Sequence, residues 1–172
     1  MKELLFFSHN QNKIIEINQI FKSNRIRIKN LNSFQKIKEP VEKGKSFAEN
    51  AKIKSRFGQK TFNMPCFADD SGFCIEALNN NPGVKSKRFL EQFSSNKDAF
   101  DYIISNVIKK NNYNAFFVTA ISLSLKANHH IVFLAQINGK ISLRSKGDNG
   151  FGYDPIFIPE NHKKTFGEMR PS

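Results

Sequence analysis

The chain has no tryptophan, two cysteines and three tyrosines in 172 residues, and 15 acidic side chains stand against 27 basic ones. Cys66 and Cys74 form no CxxC pair and cannot build a disulfide framework. Both lie in apolar runs and read as buried free thiols in a reducing cytoplasm. No stretch approaches the roughly 18 apolar residues of a membrane-spanning helix, and the apolar run Leu4–Phe7 is too short for a signal peptide, so no membrane partner is expected. HExxH and other zinc spacings, GxSxG and the P-loop glycines are all missing. There is no internal repeat, low-complexity tract or linker, so one domain over 1–172 is expected.

What the chain does have is phenylalanine, 18 in all, and a net charge of +12. The charge suits a polyanionic partner: a nucleotide, a nucleic acid or an acidic membrane surface. Lysine is scattered rather than massed, alongside heavy use of Asn, Ile and Phe, as AT-rich coding would produce. A specific nucleic-acid interface is therefore not expected.

Periodicity outlines a mixed α/β domain. Leu4–Phe7 reads as a strand. It runs through the polar Ser8–Asn12 into a helix carrying Ile14, Ile17, Ile20 and Phe21 on one side. Ile26 and Ile28 mark a second strand. Ser46 and Glu49 fit a capping box that opens a helix to about Gln59. Cys66–Ala68 and Phe73–Leu78 read as strands flanking an acidic turn, and Asn79–Gly83 as another turn. A helix is expected over 97–109, with Ala99, Tyr102, Ile103, Asn106 and Val107 sharing a side. Ala115–Leu125 follows as a strand. Asn138-Gly139 between Ile131–Ile137 and Ile141–Arg144 predicts a hairpin, His129-His130 a turn, and Gly147–Pro155 a loop.

Four segments carry residues suited to chemistry. Ser8–Lys13 joins a strand to a helix N-terminus, where unpaired N–H groups and the helix dipole favour an anion. Ser8, Asn10 and Lys13 add a hydroxyl, an amide and a charge. An ordinary turn with Asn10 or Asn12 capping the helix is an equal alternative. Asp69-Asp70-Ser71-Gly72 places adjacent carboxylates in apolar surroundings, which is costly unless they are paired or bind metal. In a regular strand they would face opposite sides, one toward a site and one toward structure. Glu39 and Glu42 precede the capped helix, and Glu42 is a candidate to share a metal with the Asp pair. Phe151, Gly152, Tyr153 and Asp154 offer rings, open backbone and a carboxylate, which suits a purine pocket. The alternative packs Phe151 and Tyr153 into the core.

The motifs follow in a recognisable order: Ser8-His9-Asn10-Gln11-Asn12-Lys13, Ser46-Phe47-Ala48-Glu49-Asn50-Ala51, Ala68-Asp69-Asp70-Ser71-Gly72, Asn81-Pro82-Gly83-Val84, Gly150–Phe157 and Thr165–Met169. Together they resemble the inosine/xanthosine triphosphate pyrophosphatase family over nearly the whole chain. The resemblance implies an elongated, two-lobed α/β fold with a central mixed sheet and a cleft, working as a homodimer. It implies hydrolysis of ITP, dITP and XTP to the monophosphate and pyrophosphate with Mg²⁺ as cofactor.

Carried over, Ser8, His9, Asn10, Gln11, Asn12 and Lys13 form the triphosphate loop. Asp70 is general base and metal ligand, Glu42 the second acidic ligand, and Ser71 touches substrate. Phe151, Gly152, Tyr153 and Asp154 form the base pocket. His9, Asn12 and Lys85 depart from the family pattern. The chain also stops at Arg170-Pro171-Ser172, before a Lys-bearing segment and a Ser-His-Arg motif. That stop keeps open a nucleotide-binding remnant without catalysis, and the +12 charge keeps open a basic nucleic-acid-binding module.

Overall fold

The structure is a computed structural model that describes residues 2–22, 26–34, 37–127 and 129–170. Pro171 and Ser172, where the family pattern is expected to break off, lie outside the described residues. In chain order the elements are β1 (Lys2–Phe6), α1 (Gln11–Phe21), β2 (Ile26–Asn30), α2 (Phe47–Phe62), β3 (Cys66–Ile75), β4 (Asn81–Gly83), α3 (Ser86–Leu90), α4 (Asn96–Lys110), β5 (Asn114–Lys126), β6 (His129–Ile141) and β7 (Phe157–Pro159).

The strands form one seven-stranded sheet in the order β2-β1-β3-β5-β6-β7, with β4 paired to β3. β1 runs parallel to β2 and β3, whereas the β3–β4 and β6–β7 pairs are antiparallel. The sheet is therefore mixed, and the fold is the expected α/β. Two compact units divide the chain: Met1–Asp70 with Thr119–Leu134, and Ser71–Val118 with Ala135–Ser172.

Strand alternation organises the first unit. Phe6 and Phe67 point to one side, where they pack with Ile14 and Ile17 of α1. Leu5, Phe7, Cys66 and Ala68 point to the other, where Phe57 and Phe62 of α2 meet them. The α2 N-terminus is the capping box expected from Ser46 and Glu49, with both reciprocal bonds present. Ser55 of α2 also reaches the sheet. Its Oγ lies 2.9 Å from Ser122 Oγ and 2.9 Å from Ser124 Oγ, all three fully buried.

The second unit has its own aromatic core. Phe73, Phe157 and Tyr153 pack with Ile103 and Val107 of α4. The Phe73 and Tyr153 rings stack at 4.7 Å.

Several expectations are corrected. Asp69-Asp70-Ser71-Gly72 is no turn: β3 runs unbroken through it, and pairing with its neighbours outweighs the local turn preference of Asp, Ser and Gly. β3 ends at Ile75 and a short 3-10 turn covers Glu76–Leu78, so the strand expected to Leu78 is shorter. Asn79 and Asn80 do turn, at positive φ, but Asn81–Gly83 is strand. Asn138-Gly139 makes no hairpin, because β6 continues through both residues. Gly139 pairs with Pro159, and a Cβ there would strike the Ile158 carbonyl and the Phe157 ring. The glycine serves close strand approach rather than a turn. His129-His130 opens β6 instead of turning. Ile20 and Tyr102, expected on inward helix faces, are 64% and 46% exposed.

The serine cluster gives a stability prediction. Ser55→Ala leaves buried hydroxyls short of a partner and should cost about 1–3 kcal/mol in chemical denaturation. The triple change Ser55→Ala, Ser122→Ala, Ser124→Ala should recover much of that loss, because no unsatisfied hydroxyl is left behind. A triple variant less stable than the single one would contradict this account.

Candidate active site

The helix-start loop and the acidic pair lie in the first unit, and the geometry of β3 connects them. Asp69 has the parity of Phe67, so it faces α1, where Lys13 Nζ donates to Asp69 Oδ2. Asp70 has the parity of Cys66 and Ala68, so it faces α2. There Asn50 Nδ2 donates to Asp70 Oδ2 at 3.1 Å, and Lys54 Nζ lies 3.4 Å from Asp70 Oδ1. The same ammonium sits 3.0 Å from Glu42 Oε1. Glu42 and Asp70 thus converge on one cation.

Burial shapes the charges. Asp70 is 7% exposed. Loss of water raises its carboxyl pKa above the ordinary value, against the opposing pull of Lys54 and of the Asn50 hydrogen bond. Burial alone would lower the Lys54 pKa. Asp70, Glu42 and Asp69 together outweigh it and hold the lysine above its usual value, so it is charged at neutral pH. Among the described residues no group of three or more His, Cys, Asp or Glu could hold a metal. Two converging carboxylates do fit a Mg²⁺ ion, which commonly takes one or two carboxylates and completes its shell with water and substrate phosphates.

In the Ser8–Lys13 loop, Asn10 Oδ1 caps α1 by accepting from the backbone N–H of Asn12 at 3.0 Å and of Lys13 at 3.4 Å. The amide therefore turns its oxygen inward and its Nδ2 end away from the helix. Ser8 Oγ accepts from the Asn10 backbone N–H at 3.1 Å. His9 Nε2 lies 3.5 Å from Glu39 Oε1 in an exposed pair, so Glu39 belongs to the loop and Glu42 to the acidic cluster. Gln11 and Asn12 are exposed on the first turn of α1, and Ser71 follows Asp70 in β3, half-buried.

Phe151, Gly152, Tyr153 and Asp154 lie in the second unit. The Tyr153 ring is core: 4% exposed, stacked on Phe73, its hydroxyl donating to the Ser86 carbonyl at 2.8 Å. Asp154 Oδ2 accepts from the Phe151 backbone N–H at 2.8 Å and folds the loop on itself. The Thr165–Met169 motif braces the same loop. Thr165 and Glu168 form a capping box, Thr165 Oγ1 donates to the Lys146 carbonyl at 2.8 Å, and the Asn149 N–H donates to the Gly167 carbonyl at 3.0 Å. An open surface depression of about 900 Å³, lined by Asn111–Asn114 and Glu160–Lys163 among others, lies in this unit and contains no site residue.

Asn50 lies in the Ser46–Ala51 motif without an assigned role there, and Lys54 carries no site signature in sequence. The available signal is the inward face of α2, whose buried positions are Asn50, Ala51, Ser55 and Gly58. A polar, small-residue stripe where an amphipathic helix should be apolar marks a face committed to hydrogen bonding rather than packing.

The Ham1 family profile matches residues 4–172. A dITP/XTP pyrophosphatase of Acholeplasma laidlawii is 40% identical, covering 97% of this chain and 82% of that protein. One of Desulfotalea psychrophila is 36% identical, covering 93% and 72%. The solved structure of a HAM1 protein from Coxiella burnetii superposes with a TM-score of 0.88 at 31% identity, covering 99% of this chain and 88% of that one. The Ham1 protein of Staphylococcus aureus gives 0.85 at 32% identity, covering 98% and 87%. Sequence profile, relatives and solved structures agree over almost the full length: the chain belongs to the Ham1 family.

Proposed function

We propose that this chain is a Mg²⁺-dependent pyrophosphatase that hydrolyses ITP, dITP and XTP to the monophosphate and pyrophosphate in the cytoplasm, as a homodimer. The observation that carries the reading is the convergence of Glu42 and Asp70 on the Lys54 ammonium. The names of the relatives supply the substrate class. Ile131, Phe133, Leu134 and Ile137 of β6 are 41–67% exposed, apolar surface of the kind a second copy would cover.

Glu42 and Asp70 would hold the Mg²⁺, which when bound supplies positive charge to the phosphate oxygens and orients the attacking water. Lys13 and Lys54 would exchange their carboxylate partners for phosphate oxygens, with Ser8, His9, Asn10, Gln11 and Asn12 lining the triphosphate and Ser71 beside it. As the water oxygen bonds the α-phosphorus, its proton passes to Asp70. The α–β bridging P–O bond breaks and pyrophosphate leaves with the electron pair. Burial strengthens Asp70 as a base relative to a surface carboxylate. Phe151 would stack on the purine, the Gly152 and Tyr153 backbone would approach it, and Asp154 would hold the loop that reads its edge.

Pyrophosphate release should be far faster from ITP, dITP or XTP than from ATP or GTP. No release from any nucleotide by folded protein would reject the enzyme reading, and a monomer by light scattering would remove the homodimer. Asp70→Asn should lower kcat by about 10²-fold or more. Undiminished turnover in the variant would exclude Asp70 as base.

Lys54→Met leaves two carboxylates facing each other without their cation, and should cost about 3 kcal/mol at neutral pH. The Asp70 pKa is already raised in the folded state and would rise further. Its ionisation therefore opposes folding fully above that raised pKa, less as pH falls through it, and not at all below the unfolded-state value. The deficit should shrink as pH falls, and urea denaturation that shows a pH-independent deficit would argue against the pairing.

A further inference from the structure

The acidic cluster needs two carboxylates from separate parts of the chain. Asp70 comes from the middle of β3 and Glu42 from the irregular segment ahead of α2. An irregular segment has no ladder of its own to place Glu42, so its position depends on what fastens its backbone.

Three backbone N–H groups behind Glu42 are fastened, all to side chains in the first turn of α2. Gly44 N–H donates to Asn50 Oδ1 at 2.8 Å, and the N–H groups of Lys45 and Ser46 donate to Glu49 Oε2 at 2.6 and 3.2 Å. The Ser46 bond belongs to the capping box, and the Lys45 bond to the same carboxylate lies just ahead of it. The Asn50 bond differs, because the other end of the same amide donates to Asp70 Oδ2 at 3.1 Å. Asn50 is 2% exposed, so water does not compete for either end. The Gly44 bond fixes which way the amide faces: oxygen toward the loop, nitrogen toward Asp70.

We infer that Asn50 is a positioning residue whose buried carboxamide ties the Glu42 segment and the Asp70 carboxylate to one another, so that both present their oxygens to a single divalent cation. The inference rests on the pyrophosphatase reading above. Gly44 belongs to the same device. A Cβ at position 44 would lie 2.5 Å from Asn50 Oδ1 and 2.7 Å from Glu49 Cβ, so only glycine lets the loop close onto the amide. Lys13 and Asp69 stand on the α1 side of the sheet and do not take part. Disturbing the tie should therefore affect metal and turnover more than nucleotide grip.

The test is Mn²⁺ binding to the full chain by titration calorimetry, with steady-state kinetics alongside. Asn50→Ala and Asn50→Leu should each weaken Mn²⁺ binding at least tenfold, and lower kcat at least tenfold while KM for the nucleotide stays within about threefold. Gly44→Ala should do the same with every carboxylate and Asn50 itself intact, and it carries the test should the Asn50 variants fail to fold. Ser95→Ala, which removes the α4 N-cap in the other unit, is the stability control and should leave Mn²⁺ affinity within twofold. Unchanged Mn²⁺ affinity in folded Asn50 and Gly44 variants, beside a wild type that binds, overturns this inference alone. A wild type that neither binds Mn²⁺ nor releases pyrophosphate overturns the enzyme reading as well.

Discussion

Successive side chains of a strand face opposite sides of its sheet, and in β3 that rule is applied to two adjacent carboxylates. Asp69 goes to the α1 side and Asp70 to the α2 side. Neither could be placed so without the other residues of the strand. Phe67 keeps α1 against one face, and Cys66 and Ala68 keep α2 against the other. A one-residue slip in the β1–β3 register would exchange the two acids and send Asp70 to Lys13. The pairing of Leu5 with Cys66 and Phe6 with Phe67 is therefore a condition of the site as much as of the fold.

Burying Asp70 and Lys54 in a first unit that also buries Phe6, Phe7 and Phe67 is costly unless every charge has a partner. The cluster meets this by sharing. Lys54 serves Glu42 and Asp70, and Asn50 serves Asp70 and the Gly44 backbone. The result is anionic by count, with two carboxylates (Glu42, Asp70) against one ammonium (Lys54), and a Lys13–Asp69 pair on the other face of the strand, inside a chain of net charge +12. Under the proposed function a cation would be drawn to the acids and a polyphosphate to the lysines, so substrate and metal need not compete for the same groups.

Much of this was legible from residue patterns. The helix of Ile14 and Ile17, the Ser46/Glu49 capping box and the opposite facing of Asp69 and Asp70 follow from periodicity and side-chain chemistry. The failures share one cause. Asp-Asp-Ser-Gly and Asn-Gly favour turns when isolated, yet both lie inside strands because neighbours across the sheet supply hydrogen bonds and burial that local preference cannot match. The roles of Asn50, which the Ser46–Ala51 motif includes, and of Lys54 were illegible for a different reason. Their importance lies in what approaches them from β3 and from Glu42, which no spacing along α2 encodes. Tyr153 was legible only as a choice between pocket and core, and the ring is in the core.

The absence of tryptophan has an optical consequence. Tyrosine is then the main source of intrinsic near-ultraviolet signal, and Tyr102, Tyr113 and Tyr153 all belong to the unit built from Ser71–Val118 and Ala135–Ser172. The unit with the acidic cluster has phenylalanine but no tyrosine, so its melting is dark to tyrosine emission. An unfolding curve followed by that emission describes one half of the molecule, and coincidence with far-ultraviolet dichroism becomes a direct measure of whether the halves unfold together.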